Sequence, residues 1–248
     1  SPAEIAQNYV GIGKKKVETP ILKLFILGIM AGIFIGIGAI AYQTATATIG
    51  GSLGKLVGAC MFPAGLALVL IAGSELFTGN CLLVIPLLEK EVKFSGVLRN
   101  WVFVYLGNFA GSIILALLVV YSHTPSQVDG ALLDTMMTVA SGKVALSFGD
   151  ALLRGIICNM MVCLAVWMSF AGKTVPSKII GLYFPIMIFV LGGFEHSVAN
   201  MYYLAAGIFA NGVYGVGNAA VNWGAALVNN LLPVTIGNII GGALIFRE

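Results

Sequence analysis

Residues 70–80 of the chain read LIAGSELFTGN and place an acidic residue, Glu75, in the middle of a long hydrophobic run. Residues 193–201 read GFEHSVANM and place Glu195 in the middle of a second such run. When the two segments are aligned on their glutamates, the preceding glycine and the following asparagine also coincide. Both hydrophobic runs are longer than the ~20 residues that one straight membrane-spanning helix needs. The pattern therefore predicts two helices that are broken at equivalent points of a repeated membrane fold.

The composition around these segments is that of a membrane protein. Hydrophobic residues make up 59% of the 248 residues and charged residues only 9%, compared with about 25% charged residues in a soluble domain. The net charge of +3 forms no basic stripe with interleaved aromatic residues, which argues against nucleic-acid binding. We predict one all-α transmembrane domain, residues 1–248, with six spans at residues 21–42, 56–88, 97–121, 151–170, 179–210 and 227–246.

The positive charges predict how the chain is oriented. Lysines and arginines are concentrated before the first span, between the second and third spans, and between the fourth and fifth spans. Because short cytoplasmic loops retain positive charge, this distribution predicts cytoplasmic termini in a bacterial inner membrane. Residues 1–20 are expected to form a soluble cytoplasmic segment with a turn at residues 11–13, without the apolar stretch of a signal peptide.

Each half of the chain contains three predicted spans, so the second half is expected to be inverted relative to the first. Interrupted helices at corresponding positions of two such repeats mark a binding site near the middle of the membrane. Irregular backbone survives at that depth only where it is buried in protein or lines a water-filled cavity. The N-terminal ends of the half-helices also turn N–H groups and partial positive charge toward the cavity. The breaks therefore predict a site for an anion.

Polar residues at the breaks are the candidates for binding and supporting roles. We expect the carboxylates of Glu75 and Glu195 to accept hydrogen bonds from backbone N–H groups that their own breaks set free. His196 offers an N–H donor to an anion when neutral and adds a charge when protonated, so both states stay open. Thr78 supplies a hydroxyl donor at the first break or caps the half-helix that follows. Thr78 and His196 are thus the predicted anion-binding pair.

A membrane-embedded enzyme is the competing class of function, with Glu195 and His196 as an acid–base pair. Neighbouring residues on a helix point about 100° apart, so the two side chains are not expected to bond to each other. No nucleophile or group of metal ligands accompanies them in the sequence. We therefore predict no enzymatic activity, no metal and no cofactor.

The cysteines and most of the glycines are expected to pack helices together. No CxxC spacing or other metal ligands accompany the four cysteines, Cys60, Cys81, Cys158 and Cys163. Small residues let helices approach closely in a membrane. Glycines recur with four-residue spacing in three places: Gly28, Gly32 and Gly36; Gly107 and Gly111; Gly237 and Gly241.

Four segments spread from the second to the sixth span resemble the formate/nitrite transporter family. They are residues 70–80, residues 155–165 (GIICNMMVCLA), residues 193–201 and residues 230–242 (NLLPVTIGNIIGG). The likeness extends over essentially the whole chain. It implies an aquaporin-like fold of six helices that assembles as a pentamer, with one pore in each protomer.

The resemblance also implies roles for individual residues. The family's mobile loop matches residues 76–80 and faces the histidine that matches His196. Lys143 matches a basic residue of the outer vestibule that draws anions in, and Asn159 and Asn238 match amides near the pore that pair with this lysine. Two hydrophobic constrictions are matched by Leu66 with Leu76 and Phe77, and by Val162 with Phe189. The polar residues expected to support the site are Glu75, Asn80, Asn159, Glu195, Asn200 and Asn238.

Members of this family carry formate, nitrite or hydrosulfide, which implies a passive channel for small monovalent anions of weak acids. Gly79 and Asn80 stand where formate members tend to have serine and threonine, and this favours the hydrosulfide branch. A proton-coupled carrier for formate or nitrite is the alternative, because protonation of His196 could accompany each anion.

Overall fold

A computed structural model describes residues 1–244 as an all-helical protein. The helices have the following bounds in chain order: α1 Pro2–Glu18, α2 Ile21–Ile49, α3 Gly51–Ala72, α4 Gly79–Leu88, α5 Phe94–Tyr121, α6 Ala131–Val144, α7 Phe148–Ala171, α8 Val175–Leu191, α9 Ser197–Val213 and α10 Trp223–Leu244. Within the described residues, α2, α3, α5, α7 and α10 are each long and apolar enough to cross a membrane.

The two predicted interruptions are present. Residues 73–78, the first break, separate α3 from α4, and residues 192–196, the second break, separate α8 from α9. Glycine and the polar residues around each glutamate end the preceding helix, while the apolar flanks continue as helix on either side. The predicted sixth span corresponds to α10, and its last two predicted residues, 245–246, lie outside the described residues.

The N-terminal segment differs from the sequence prediction, because α1 runs through residues 11–13 without a turn. Gly13 faces α4 so closely that a Cβ there would lie 2.6 Å from Pro86 Cγ. Tyr9 is 1% exposed. The glycine at position 13 therefore serves close packing, and α1 lies against the membrane helices instead of forming a separate soluble lead-in.

Rows of glycines bring two pairs of helices into backbone contact. Between α2 and α5, a Cβ on Gly111 would lie 2.0 Å from the carbonyl oxygen of Ile29. Between α7 and α10, a Cβ on Gly241 would lie 2.1 Å from the carbonyl oxygen of Ile156. The predicted packing role of these rows is confirmed, and it places the asparagines of α5 and α10 beside the two breaks.

Candidate functional site

Glycines allow the chain to leave the helix at both breaks. Gly73 follows α3 with φ of +77°, and Gly193 lies in the second break with φ of +71°. This left-handed conformation is strained for residues with a Cβ. A Cβ at either position would meet no atom within 4 Å, so the backbone conformation, not crowding, requires glycine here.

At the first break, the side chain of Asn108 on α5 replaces lost helical hydrogen bonds. Its Oδ1 accepts the backbone N–H of Phe77 at 2.9 Å. Its Nδ2 donates to the carbonyl oxygens of Gly28 at 2.8 Å and Glu75 at 2.9 Å. Asn108 is fully buried, at a depth where an unpaired backbone group costs several kcal/mol. The irregular backbone is therefore stabilised from α5.

At the second break, Asn238 on α10 makes the equivalent bonds. Its Oδ1 accepts the N–H of Ser197 at 2.8 Å, and its Nδ2 donates to the carbonyl oxygens of Gly155 at 2.8 Å and Glu195 at 2.9 Å. Because these asparagines bind the backbone groups that the breaks set free, the expectation that the carboxylates of Glu75 and Glu195 accept them is wrong.

The carboxylate of Glu75 faces a lysine of α1 instead. Lys16 Nζ lies 2.8 Å from both carboxylate oxygens and donates to Asn80 Oδ1 at 3.0 Å. Asn80 Nδ2 donates to Glu75 Oε2 at 2.7 Å and to Asn100 Oδ1 at 2.8 Å. The lysine and glutamate side chains are 19% and 10% exposed. These four residues form the Lys16 network, a mostly buried ion pair whose polar atoms are bonded.

The carboxylate of Glu195 faces Lys143 on α6 in the same way. Lys143 Nζ lies 2.9 and 3.0 Å from the two carboxylate oxygens, and the side chains are 13% and 6% exposed. Asn200 donates to Glu195 Oε2 and to Asn230 Oδ1. The ammonium group also lies 5.3 Å from the centre of the Tyr203 ring, a cation–π contact. Lys143, Glu195, Asn200 and Asn230 form the Lys143 network.

Lys143 is therefore an ion-pair partner, and not the uncompensated vestibule charge that the sequence suggested. Its predicted pairing with Asn159 and Asn238 is wrong, because both amides are held by backbone groups deeper in the protein. The amide that does reach it belongs to Asn230, whose Nδ2 donates to the Lys143 carbonyl oxygen at 3.0 Å.

The two predicted anion-binding residues are brought together. Thr78 Oγ1 lies 2.8 Å from His196 Nε2, and both residues are buried. The backbone N–H of Ala199 donates to His196 Nδ1 at 3.0 Å. Since a backbone N–H can only donate, we assign the imidazole proton to Nε2, from which it is donated to Thr78 Oγ1. The hydroxyl hydrogen of Thr78 is then available to a further acceptor.

Two small cavities are lined by residues of the breaks and of the two networks. The Lys143 cavity measures about 100 Å³, and its lining includes His196 and Lys143. The Lys16 cavity measures about 30 Å³, and its lining includes Lys16 and Gly79. A single water molecule needs roughly 10–15 Å³ of such cavity volume. Each cavity therefore holds only water molecules or a small ion.

Three of the predicted constriction residues line these cavities. Leu66 and Leu76 line the Lys16 cavity. Phe189 lines the Lys143 cavity, and its ring is stacked on His196 with 5.7 Å between ring centres and an angle of 17°. Apolar side chains thus line both cavities, and one of them, Phe189, stacks directly on His196.

The other two predicted constriction residues, Phe77 and Val162, are buried but border neither cavity. The Phe77 ring packs edge-on against Tyr105 and Trp101 of α5, with ring centres 4.9 and 6.2 Å away. Its position follows from Asn108, which holds the Phe77 backbone N–H toward α5. Phe77 therefore does not line the cavity that Leu66 and Leu76 line, although the resemblance groups the three residues in one constriction.

Sequence reasoning missed Lys16, Asn100 and Asn230. A signal for Lys16 was present, because it precedes Gly28 by the same number of residues as Lys143 precedes Gly155. Gly28 and Gly155 each supply the carbonyl oxygen that a break asparagine binds. Extending the comparison of the two halves beyond the glutamate segments would have matched the two lysines.

The geometry also separates the proposed acid–base neighbours. The carboxylate of Glu195 bonds to Lys143, Asn200 and Asn230, whereas the imidazole of His196 bonds to Thr78 and to the N–H of Ala199. Within residues 1–244, no three His, Cys, Asp or Glu side chains lie close enough to hold a metal ion.

Known proteins resemble this chain over nearly its full length. The family model for "Formate/nitrite transporter" matches residues 3–247. The formate channel FocA of Escherichia coli K12 is 38% identical over 98% of this chain and 90% of its own length. A solved "Pentameric formate channel with formate bound" superposes with a TM-score of 0.80 at 34% identity, covering 91% of this chain and 94% of that one.

A solved "FNT family ion channel" superposes with a TM-score of 0.85 at 30% identity, over 99% of this chain and 95% of that one. All three of these relatives are described as channels and none as an enzyme. The family match therefore extends over nearly the whole chain and reaches every helix described above. The chain is a member of the formate/nitrite transporter family.

Proposed function

We propose that the chain is a passive channel for small monovalent anions, formate foremost, with one pore in each protomer. The observation that carries this proposal is the contact between Thr78 and His196, because His196 lines the Lys143 cavity and Gly79, the residue after Thr78, lines the Lys16 cavity. The names of its relatives support formate as the first substrate to test. Nitrite and hydrosulfide are included in the same class of substrate.

The bond from Ala199 makes the central site a donor site. With Nδ1 occupied by the N–H of Ala199, His196 can only donate through Nε2 toward Thr78. An anion that enters the apolar surroundings loses its hydration, and only aligned donors replace water there. The Nε2–H of His196 is donated to the Thr78 oxygen, so the anion meets the Thr78 hydroxyl hydrogen first. The imidazole N–H, 2.8 Å away, becomes a second donor when it turns from Thr78 to the anion. Formate and nitrite each carry two oxygens on one atom and match this spacing better than hydrosulfide.

The two paired lysines place little net positive charge beside the cavities, so they do not trap the anion. Lys16 and Lys143 each face their cavity while their charge is offset by Glu75 and Glu195, respectively. Conduction requires that an anion binds well enough to enter and weakly enough to leave. Lys143 keeps one N–H beyond its two bonds to Glu195 and offers it to the anion with little net charge, whereas the three N–H groups of Lys16 are all bonded.

We further propose six membrane spans in two inverted halves, with α3–α4 and α8–α9 as the broken spans. Matching bonds at Asn108 and Asn238 support this repeat. The solved relative that is described as pentameric supports a homopentamer. The lysine and arginine distribution supports cytoplasmic termini in an inner membrane.

Electrical recording across a planar bilayer with purified protein tests the channel proposal. We expect current with formate and nitrite, at two pH values and in the absence of a pH gradient. Hydrosulfide is the third arm, and a current larger than that of formate would favour the hydrosulfide branch instead. Anion uptake into vesicles without detectable current would contradict a channel and support the proton-coupled carrier.

Replacement of His196 by asparagine separates the two mechanisms further. Asparagine can cap Ala199 and keep an N–H donor, but it takes up no proton. Protonation of His196 at Nδ1 would require breaking the hydrogen bond from the Ala199 N–H. Lys143 and Glu195 are the charged residues that line the same cavity as His196. We expect reduced formate current and the same pH response between about pH 5 and 8, where free imidazole titrates. A pH response that disappears in His196→Asn would contradict a permanently neutral His196 and identify it as the titrating group, as the proton-coupled carrier requires.

A further inference from the structure

The carbonyl oxygen of Thr78 receives three hydrogen bonds. The backbone N–H of Cys81 donates to it at 3.4 Å. Two donors come from α7: the Asn159 amide, whose Nδ2 is 3.2 Å away, and the Cys163 thiol, whose Sγ is 3.5 Å away. Asn159 and Cys163 are both 0% exposed. We call these two side chains the α7 clamp.

The clamp has little room to move away from this carbonyl. A Cβ placed on Gly242 of α10 would lie 2.3 Å from Asn159 Nδ2 and 2.9 Å from Cys163 Sγ. Asn159 Nδ2 also donates to the carbonyl oxygen of Asn238 at 2.7 Å. The backbone of α10 therefore packs directly behind both donors and keeps them against the first break.

We propose that Cys163, together with Asn159, is a positioning residue that sets where the Thr78 hydroxyl meets an anion. This inference rests on the proposed channel function. The carbonyl carbon of Thr78 and the Cβ that bears its hydroxyl are both bonded to Cα, so a carbonyl held from α7 fixes the backbone position from which the hydroxyl projects. The fit between Thr78 and His196 then depends on two separate anchors: the α7 clamp for the threonine and the N–H of Ala199 for the histidine.

A positioning role predicts an effect on anion selectivity. In Cys163→Ala the donor is lost, and we expect the ratio of formate to acetate current to fall by about two- to fivefold, the factor that corresponds to a weak S–H···O bond. Cys163→Ser keeps a donor and should restore most of the ratio. Cys158→Ala is the matched control, because Cys158 is equally buried on α7 and makes no side-chain hydrogen bond within the described residues.

Infrared spectroscopy tests the bond without any measurement of transport. The S–H stretching band of Cys163, obtained as wild type minus Cys163→Ser, should lie at lower frequency than the band of Cys158, obtained from Cys158→Ala. Equal band positions, or selectivity ratios that fall equally in Cys163→Ala and Cys158→Ala, would overturn the inference. If the wild type carries no current while the band of Cys163 is shifted, the channel proposal fails and the clamp bond stands.

Discussion

Replacement of Thr78 by valine is expected to reduce formate current by roughly ten- to a hundredfold, the factor that corresponds to one unsatisfied buried polar group. Valine keeps the branched shape of threonine but removes the hydroxyl that lies 2.8 Å from His196 Nε2. The anion then loses the hydroxyl donor, and the imidazole N–H loses its acceptor. Current across a planar bilayer measures the effect, with every small anion tested expected to lose conductance.

Thr235→Val is a suitable control for this change. Thr235 lies inside α10 and not at a break, and its hydroxyl bonds to Tyr105 instead of to His196. The control should conduct like the wild type, and both variants should elute as the same oligomer in detergent. If Thr78→Val and Thr235→Val conduct equally well, the Thr78 hydroxyl is no part of the anion path.

Replacement of Lys143 by methionine is expected to lower the free energy of unfolding by about 3–5 kcal/mol, because the charge of Glu195 is left buried without a partner. The Glu195 side chain is 6% exposed, so bulk water does not replace the lysine. Unfolding by sodium dodecyl sulfate in mixed micelles measures the change. The double variant Lys143→Met with Glu195→Gln should recover most of the loss, since it removes both charges.

The Lys14→Met variant provides the contrast. Lys14 pairs with Glu91 at 2.6 Å, but the two side chains are 44% and 45% exposed, and surface pairs contribute little to stability. We expect little change in this variant. If the two lysine variants unfold alike, the Lys143 network is not a buried ion pair in the membrane.

The Lys143→Met variant also tests the expectation that Lys143 is a free vestibule charge that draws anions in. A free vestibule charge acts over about 8 Å at physiological salt, so its removal would reduce current only at low ionic strength. A buried ion pair is poorly screened. We therefore expect the current of Lys143→Met to be reduced at low and high ionic strength alike.

The sequence was sufficient for the features that depend on local pattern. Hydrophobic runs predicted the membrane helices, and Gly73 and Gly193 with their glutamates predicted both breaks. Thr78 and His196 followed from their positions at equivalent breaks. These features are readable because a helix break in a membrane requires both an unusual backbone conformation and polar partners.

Features that depend on distant helices were not readable in the same way. Lys16 lies on a helix that appeared to be a soluble segment, and its partner Glu75 is far along the chain. The cysteines looked like packing residues, because a thiol that donates to one backbone carbonyl leaves no pattern in the sequence. The resemblance identifies Lys143 as a residue of the anion path, but the sequence does not show that the carboxylate of Glu195 offsets its charge.

The separation of the two networks along the chain has a consequence for biosynthesis. Lys16, Glu75, Asn80 and Asn100 all precede the first residue of the Lys143 network. Because a nascent chain emerges from its N-terminus, the ribosome has delivered every member of the Lys16 network before Lys143 is made. Glu75 therefore has its ion-pair partner before the second half of the protein is synthesised. Each half can enter the membrane with its own charge already compensated, and the bond from Asn159 to Thr78 joins the halves afterwards.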